Sequence, residues 1–236
     1  MLFEKIKQLF VMFYHIFQKS QHHNIKIKIK NLFISYLCVI ALIAIVVFLL
    51  KSVASILIKL GFASVINVFF KSNDKINHYG FLKVAIIAPI IEEVLFRIIL
   101  KPYLKNLLIF SFCLVLFIIN GTLTNLDIKS YNFYFSLIIG IFLMVFVCKN
   151  KILIQRKILN NIRYVIVIYS ILFFGLLHLN NIKNIEGFDP NLIVIYPIFT
   201  LPQIIMAYFI TNLRIKYGFV WGYLLHIIIN SMSFIL

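Results

Sequence analysis

The sequence is short of charge, and shortest of negative charge: 13% of its 236 residues are charged, and 7 acids stand against 23 lysines and arginines. A soluble globular domain needs far more polar surface than this, so that class is excluded. On a soluble protein, a net charge of +16 would raise the question of nucleic acid. Here the cations gather at the ends of apolar runs, the pattern of cytoplasmic loops meeting anionic headgroups, and no nucleic-acid partner is expected. Cysteine is scarce as well. Cys38, Cys113 and Cys148 lie in or beside apolar segments without CxxC spacing and read as small buried hydrophobes. G-x-S-x-G, H-E-x-x-H, GxGD and P-loop patterns are absent, and neither intramembrane histidine, His178 or His226, lies four residues from a candidate nucleophilic serine.

What the chain has instead is hydrocarbon: 63% hydrophobic residues and a mean hydropathy of +1.03. That composition predicts an all-α polytopic membrane protein, long enough for about eight helices of ~20 residues. Spans are expected at 31–50, 53–70, 81–100, 106–120, 132–148, 163–179, 191–212 and 217–236. Residues 1–30 read as a basic amphipathic cytoplasmic arm, because Lys26, Lys28 and Lys30 alternate with isoleucines beside the first span. Residues 31–236 form the expected bundle. The first apolar stretch, 9–17, contains His15 and has no small-residue cleavage site after it, so no cleavable signal peptide is expected. His22, His23 and His78 fall in the arm or a loop and read as solvated.

Charge bias places the loop 149–163 inside, and Lys101, Lys105, Arg214 and Lys216 agree with it. Counting back by alternation puts the N-terminus outside, whereas Lys5, Lys7, Lys19, Lys26, Lys28 and Lys30 place it inside. Either 53–70 does not cross, or residues 3–18 add a span.

The most informative local feature is Glu92 beside Glu93, with Arg97 four residues on, in the otherwise apolar run 84–100. A carboxylate at membrane depth costs at least a few kcal/mol unless it has a partner or a water-filled cavity. On a helix, Glu93 and Arg97 are spaced i and i+4 for an ion pair, and Glu92 is rotated by about 100°. This suggests that Arg97 holds Glu93 ionised while Glu92 faces a cavity as a general base. Two histidines lie in later spans. His178 follows Phe174 by four, and His226 precedes Asn230 by four, so His226 and Asn230 share a face. Gly175 and Gly222 beside them permit close approach of another backbone or a substrate. Pro197 and Pro202 are expected to kink the seventh span.

In order, Glu92-Glu93-x-x-x-Arg97, Phe174-x-x-x-His178 and His226-x-x-x-Asn230, with Ala88-Pro89-Ile90-Ile91 before the glutamates, resemble the CPBP family of intramembrane proteases. That family includes type II CAAX prenyl endopeptidases and bacterial Abi proteins linked to bacteriocin processing and self-immunity. The resemblance covers about residues 80–236 and implies a protease core there. It implies that Glu92 and His178 activate water, that His226 and Asn230 stabilise the oxyanion, and that Glu93 and Arg97 organise the site. It also implies a peptide or membrane-protein substrate. The family has been described both as metal-dependent and as glutamate-type; we favour no cofactor, with zinc on Glu92, His178 and His226 as the alternative. One departure from the family pattern is the two extra spans, 106–120 and 132–148, between Glu92 and His178. Being even in number, they preserve the relative orientation of the motif helices.

Heavy use of Ile, Asn, Lys and Phe points to an AT-rich bacterial genome, hence a bacterial plasma membrane and a substrate other than a prenylated CAAX protein. Two rivals stand beside the protease. One is a non-proteolytic immunity or regulatory scaffold of the same family; the other is a proton-coupled transporter, which no internal repeat supports. Oligomeric state is open.

Overall fold

The computed structural model describes residues 24–59, 61, 80–101, 103–120, 130–157, 163–178 and 196–232. Residues 1–23 of the expected arm, with His15, His22 and His23, lie outside them, as does His78. Among the described residues there are eight α-helices and no strand, so the protein is an all-α membrane bundle. In chain order the helices are α1 (Ile25–Lys59), α2 (Ala88–Arg97), α3 (Leu104–Asn120), α4 (Tyr131–Lys149), α5 (Lys151–Lys157), α6 (Arg163–Leu177), α7 (Leu201–Tyr217) and α8 (Phe219–Met232). A π-helical turn, Leu82–Ile87, leads into α2, and 3-10 turns occupy Ile98–Leu100 and Tyr196–Thr200.

The eight helices among the described residues are not the eight expected spans. Segments 31–50 and 53–70 were expected as separate spans, yet the helix runs unbroken through Lys51 and Ser52 to Lys59. Ser52 Oγ donates to Phe48 O at 3.1 Å, which satisfies the hydroxyl inside the helix rather than breaking it. At 1.5 Å per residue α1 is ~52 Å long, more than a bilayer core requires. The eighth helix is instead α5, whose seven residues are too few to cross.

Among the described residues three segments are long and apolar enough to span a bilayer: Ile25–Lys59, Tyr131–Lys149 and Pro197–Tyr217. Leu104–Asn120, Val165–Leu177 and Phe219–Met232 are shorter apolar helices. Pro202 sits in the first turn of α7, where its missing N–H leaves nothing unpaired, and Pro197 lies in the preceding 3-10 turn. The prolines therefore start the helix instead of bending its middle.

α7 is the centre of the bundle, packed against α1, α6 and α8. Its Met206, Ala207, Ile210 and Leu213 join Val39 of α1, Leu95 and Phe96 of α2, Phe174 of α6 and Leu225 of α8 in one buried cluster. α7 turns into α8 at Gly218, whose φ of +103° favours a residue without Cβ. The close α7–α8 contact depends on Gly222: a Cβ there would stand 3.0 Å from Arg214 Cβ and 3.1 Å from the Ile210 carbonyl.

α3 and α4, the two extra helices, pack on each other at the edge of the bundle. Asn120 Nδ2 donates to Ser136 Oγ at 3.1 Å across that pair. Most of α4 is exposed apolar surface, as expected of a helix with lipid on its outer side. The same setting corrects the reading of the cysteines. Cys38 and Cys148 are exposed on the outer faces of α1 and α4, and only Cys113 is partly buried. Lipid accepts a thiol as readily as a protein core does, so apolar context alone did not distinguish them.

Candidate active site

The glutamates are carried by a segment of changing helical pitch. In the π-turn the Ala88 N–H reaches back five residues to the Lys83 carbonyl. The next donor in that register, for the Val84 carbonyl, would be residue 89, and Pro89 has no N–H. Asn230 of α8 fills the gap, its Nδ2 donating to Val84 O at 3.1 Å. Two turns earlier on α8, Tyr223 OH donates to Ile86 O at 3.2 Å. Two side chains of the last helix thus complete the backbone bonding of the turn before the glutamates, and this fixes α8 against α2.

Within α2, Glu93 is fully buried and meets a guanidinium at each oxygen. Arg97 Nη1 donates to Oε1 at 2.5 Å, as the i, i+4 spacing predicts. Arg214 Nη1 of α7 reaches Oε2 at 3.3 Å. Arg214 Nε also donates to the Arg97 carbonyl at 2.8 Å, near the end of α2 where helix carbonyls lack partners. Arg97 Nε donates to Thr211 Oγ1 at 3.1 Å, and Thr211 Oγ1 lies 3.0 Å from Ser170 Oγ of α6. The second terminal nitrogen of Arg97, Nη2, has no hydrogen-bond partner among the described residues, but the guanidinium carbon stands 4.5 Å from the Phe174 ring centroid. A buried charge persists only when paired and hydrogen-bonded, and here the network runs through three helices, α2, α6 and α7.

Glu92 points another way, as its rotation on the helix requires, and its side chain keeps 26% of its surface accessible. It is not free of partners: Oε2 lies 3.2 Å from His226 Nε2. His226 is fully buried, with Nδ1 3.5 Å from Glu93 Oε1, so each ring nitrogen faces one of the two glutamates. Neither contact has hydrogen-bond alignment. His178 occupies the turn just after α6, not the helix itself. Its Nδ1 lies 2.8 Å from Phe174 O, which assigns the Nδ1–H to that carbonyl and presents Nε2 as an acceptor. The Phe174 ring is shared, 4.9 Å from the His178 ring and 5.5 Å edge-on from that of His226. Through this ring His178, which lies near one end of its helix, comes level with the Glu92 segment.

All six residues singled out from the sequence are thus in one region. Glu92, Glu93 and His226 are in mutual contact, Arg97 lies on Glu93, His178 joins through Phe174, and Asn230 joins through Val84. Among the described residues no three His, Cys, Asp or Glu side chains gather at metal-ligand spacing. Sequence reading missed Arg214 and Thr211. Arg214 had counted as a loop cation, yet it is 3% exposed and points into the core. Its signal was available: Thr211 and Arg214 are spaced i, i+3 on an apolar helix, one face carrying both.

Residues 75–232 match the family model described as Rce1-like, type II CAAX prenyl endopeptidase. Searches of the curated proteins and of the solved structures returned no match. The matched segment is well over half of the chain and contains the glutamate pair, both histidines and Asn230. The chain belongs to the Rce1-like family, and at the level of that family it is a CAAX-type intramembrane protease acting on a peptide or protein substrate.

Proposed function

We propose that this member of the Rce1-like family is an intramembrane endopeptidase that hydrolyses a peptide bond in a membrane-associated peptide, leader sequence or membrane protein, with Glu92 as general base. The observation that carries the reading is the asymmetry of the glutamate pair. Glu93 is sealed between two guanidinium groups, while Glu92, one residue earlier, touches His226 and stays accessible. Glu93 with Arg97 and Arg214 forms a rigid, charge-compensated support; Glu92 is the carboxylate that a water molecule can reach.

In this mechanism a water held between Glu92 and the Nε2 face of His178 gives its proton to Glu92 and attacks the scissile carbonyl. His226 and Asn230 are assigned to the oxyanion: His226 Nε2, which meets Glu92 without hydrogen-bond alignment, turns to the developing charge, and Asn230 offers the amide N–H not given to Val84 O. Donors positioned in advance lower the barrier because they need not reorganise as charge develops. Collapse of the tetrahedral intermediate breaks the C–N bond, and the proton held by Glu92 passes to the departing amine. The mechanism is of the glutamate type and routes no step through a metal. The cell is bacterial and the site lies in its plasma membrane.

The test is cleavage of quenched fluorescent membrane peptides by the reconstituted full-length chain. Glu92→Gln should lower turnover about 100-fold or more, as expected for loss of a general base, while the protein accumulates normally in membranes. His178→Ala should do the same. Full activity in both variants would refute the protease reading and leave the immunity or regulatory scaffold in its place.

A further inference from the structure

We propose that the junction of α4 and α5 is a binding site for the headgroup of an anionic phospholipid, independent of the proteolytic reading. Residues 149–157 enclose a concavity of about 640 Å³, lined by Lys149, Lys151, Arg156 and Lys157 together with Ile152 and Leu153. Four cations meet there with no acid among the lining residues. Their neutralisation cannot come from the described part of the chain. Its only carboxylate side chains are Glu92 and Glu93, and both are engaged at the candidate active site. Among the described residues no carboxylate is left to balance them.

The proposed source of counter-charge follows from where α4 ends. α4 has 19 residues, ~28 Å at 1.5 Å per residue, close to the thickness of the hydrocarbon core. Tyr131 and Tyr134 are exposed at its start, as aromatic residues are at one membrane interface, and Lys149 closes it at the other. Between them Phe135, Ile138, Phe142 and Phe146 are exposed along the shaft, where acyl chains lie. The Asn150 backbone, φ −104° and ψ 16°, ends α4, and α5 begins at the next residue. Ile152 and Leu153 are 59% and 69% exposed beside the cations. A soluble phosphate would meet the lysines but has no use for two exposed aliphatic chains. A phospholipid matches both, with phosphate to the cations and upper acyl chain to Ile152 and Leu153. Basic concavities at the ends of transmembrane helices bind anionic headgroups on this principle, each cation contributing about fivefold in affinity.

The test uses the full-length chain in detergent, titrated with phosphatidylglycerol or phosphatidylcholine and read by intact-complex mass spectrometry. The protein should retain phosphatidylglycerol at least about tenfold better than phosphatidylcholine. Combined Lys149→Gln, Lys151→Gln, Arg156→Gln and Lys157→Gln should abolish the preference. A charge-retaining set, with the three lysines changed to arginine, should keep it. These side chains are largely exposed, and the pair Lys151→Gln with Lys157→Gln, which should lose about half of the discrimination on a logarithmic scale, covers failure of the fourfold variant to fold. Undiminished preference in the glutamine variants would overturn the site. Displacement of the lipid by excess inorganic phosphate would overturn the lipid assignment in favour of a free anion.

Discussion

Replacing Arg214 by methionine tests the polar support of the site most directly. The change keeps much of the side-chain volume and removes the charge. Glu93 Oε2 then loses its partner at 3.3 Å, and the Arg97 carbonyl loses the Nε donor at 2.8 Å. Both atoms stay buried, because Arg214 is 3% and Glu93 0% exposed. Removing one partner of a buried ion pair costs about 3–5 kcal/mol. Arg97 still holds Oε1, so the lower end applies, and about 3 kcal/mol corresponds to a shift of roughly 150-fold in the folding equilibrium. Arg214→Lys keeps the charge, but a single ammonium cannot occupy both positions of the planar fork; it should lose about 1–2 kcal/mol. Trp221, the single tryptophan, sits on α8 beside Gly222 and reports the unfolding of full-length protein in mixed micelles by fluorescence. The paired change Glu93→Gln with Arg214→Met should cost less than the sum of its parts, with a coupling above about 1.5 kcal/mol. A midpoint for Arg214→Met indistinguishable from the parent, or a coupling near zero, would refute the claim that the two guanidinium groups share Glu93.

Other perturbations have equally definite outcomes. Asn230→Ala leaves the Val84 carbonyl without its 3.1 Å donor and should destabilise the protein by about 1–3 kcal/mol, with faster amide exchange in the π-turn. Gly222→Ala places a Cβ against the Ile210 carbonyl and Arg214 Cβ and should cost about 1–3 kcal/mol in the same fluorescence assay, since the backbone on one side cannot move away. Strong chelation should leave peptide cleavage unchanged, and elemental analysis should find less than one zinc per chain. Stoichiometric zinc whose removal stops turnover would replace the glutamate mechanism with a metal-dependent one.

The resemblance drawn from three short motifs agrees with the match to the Rce1-like family, whose range, residues 75–232, contains all three. Local spacing sufficed wherever partners lie on one helix. Glu93 and Arg97 pair at i, i+4, and His226 and Asn230 share a face of α8, both as their positions in the chain dictate. Membrane residence was legible too, from hydropathy and the scarcity of charge. Less was legible where one residue type serves two settings. Arg214 looked like a loop cation because a guanidinium near a helix end is usually solvated, and only a carboxylate from a distant segment draws it inward. The break expected near Lys51 did not occur, because a lysine can extend its charge out of an apolar helix and leave the helix unbroken.

Sequence alone thus determined the solvent of this protein, the helical class and the identity of the chemical groups, since these follow from composition and periodicity. Tertiary structure decided which groups meet. It set Glu92 against His226, brought His178 level with them through Phe174, and gave the Val84 carbonyl to Asn230 because Pro89 has no N–H to offer. It also enclosed Glu93 between Arg97 and Arg214. The contacts Glu92–His226, Glu93–Arg214 and Val84–Asn230 join residues more than a hundred positions apart, and their energy depends on distances of a few ångströms that no local pattern encodes.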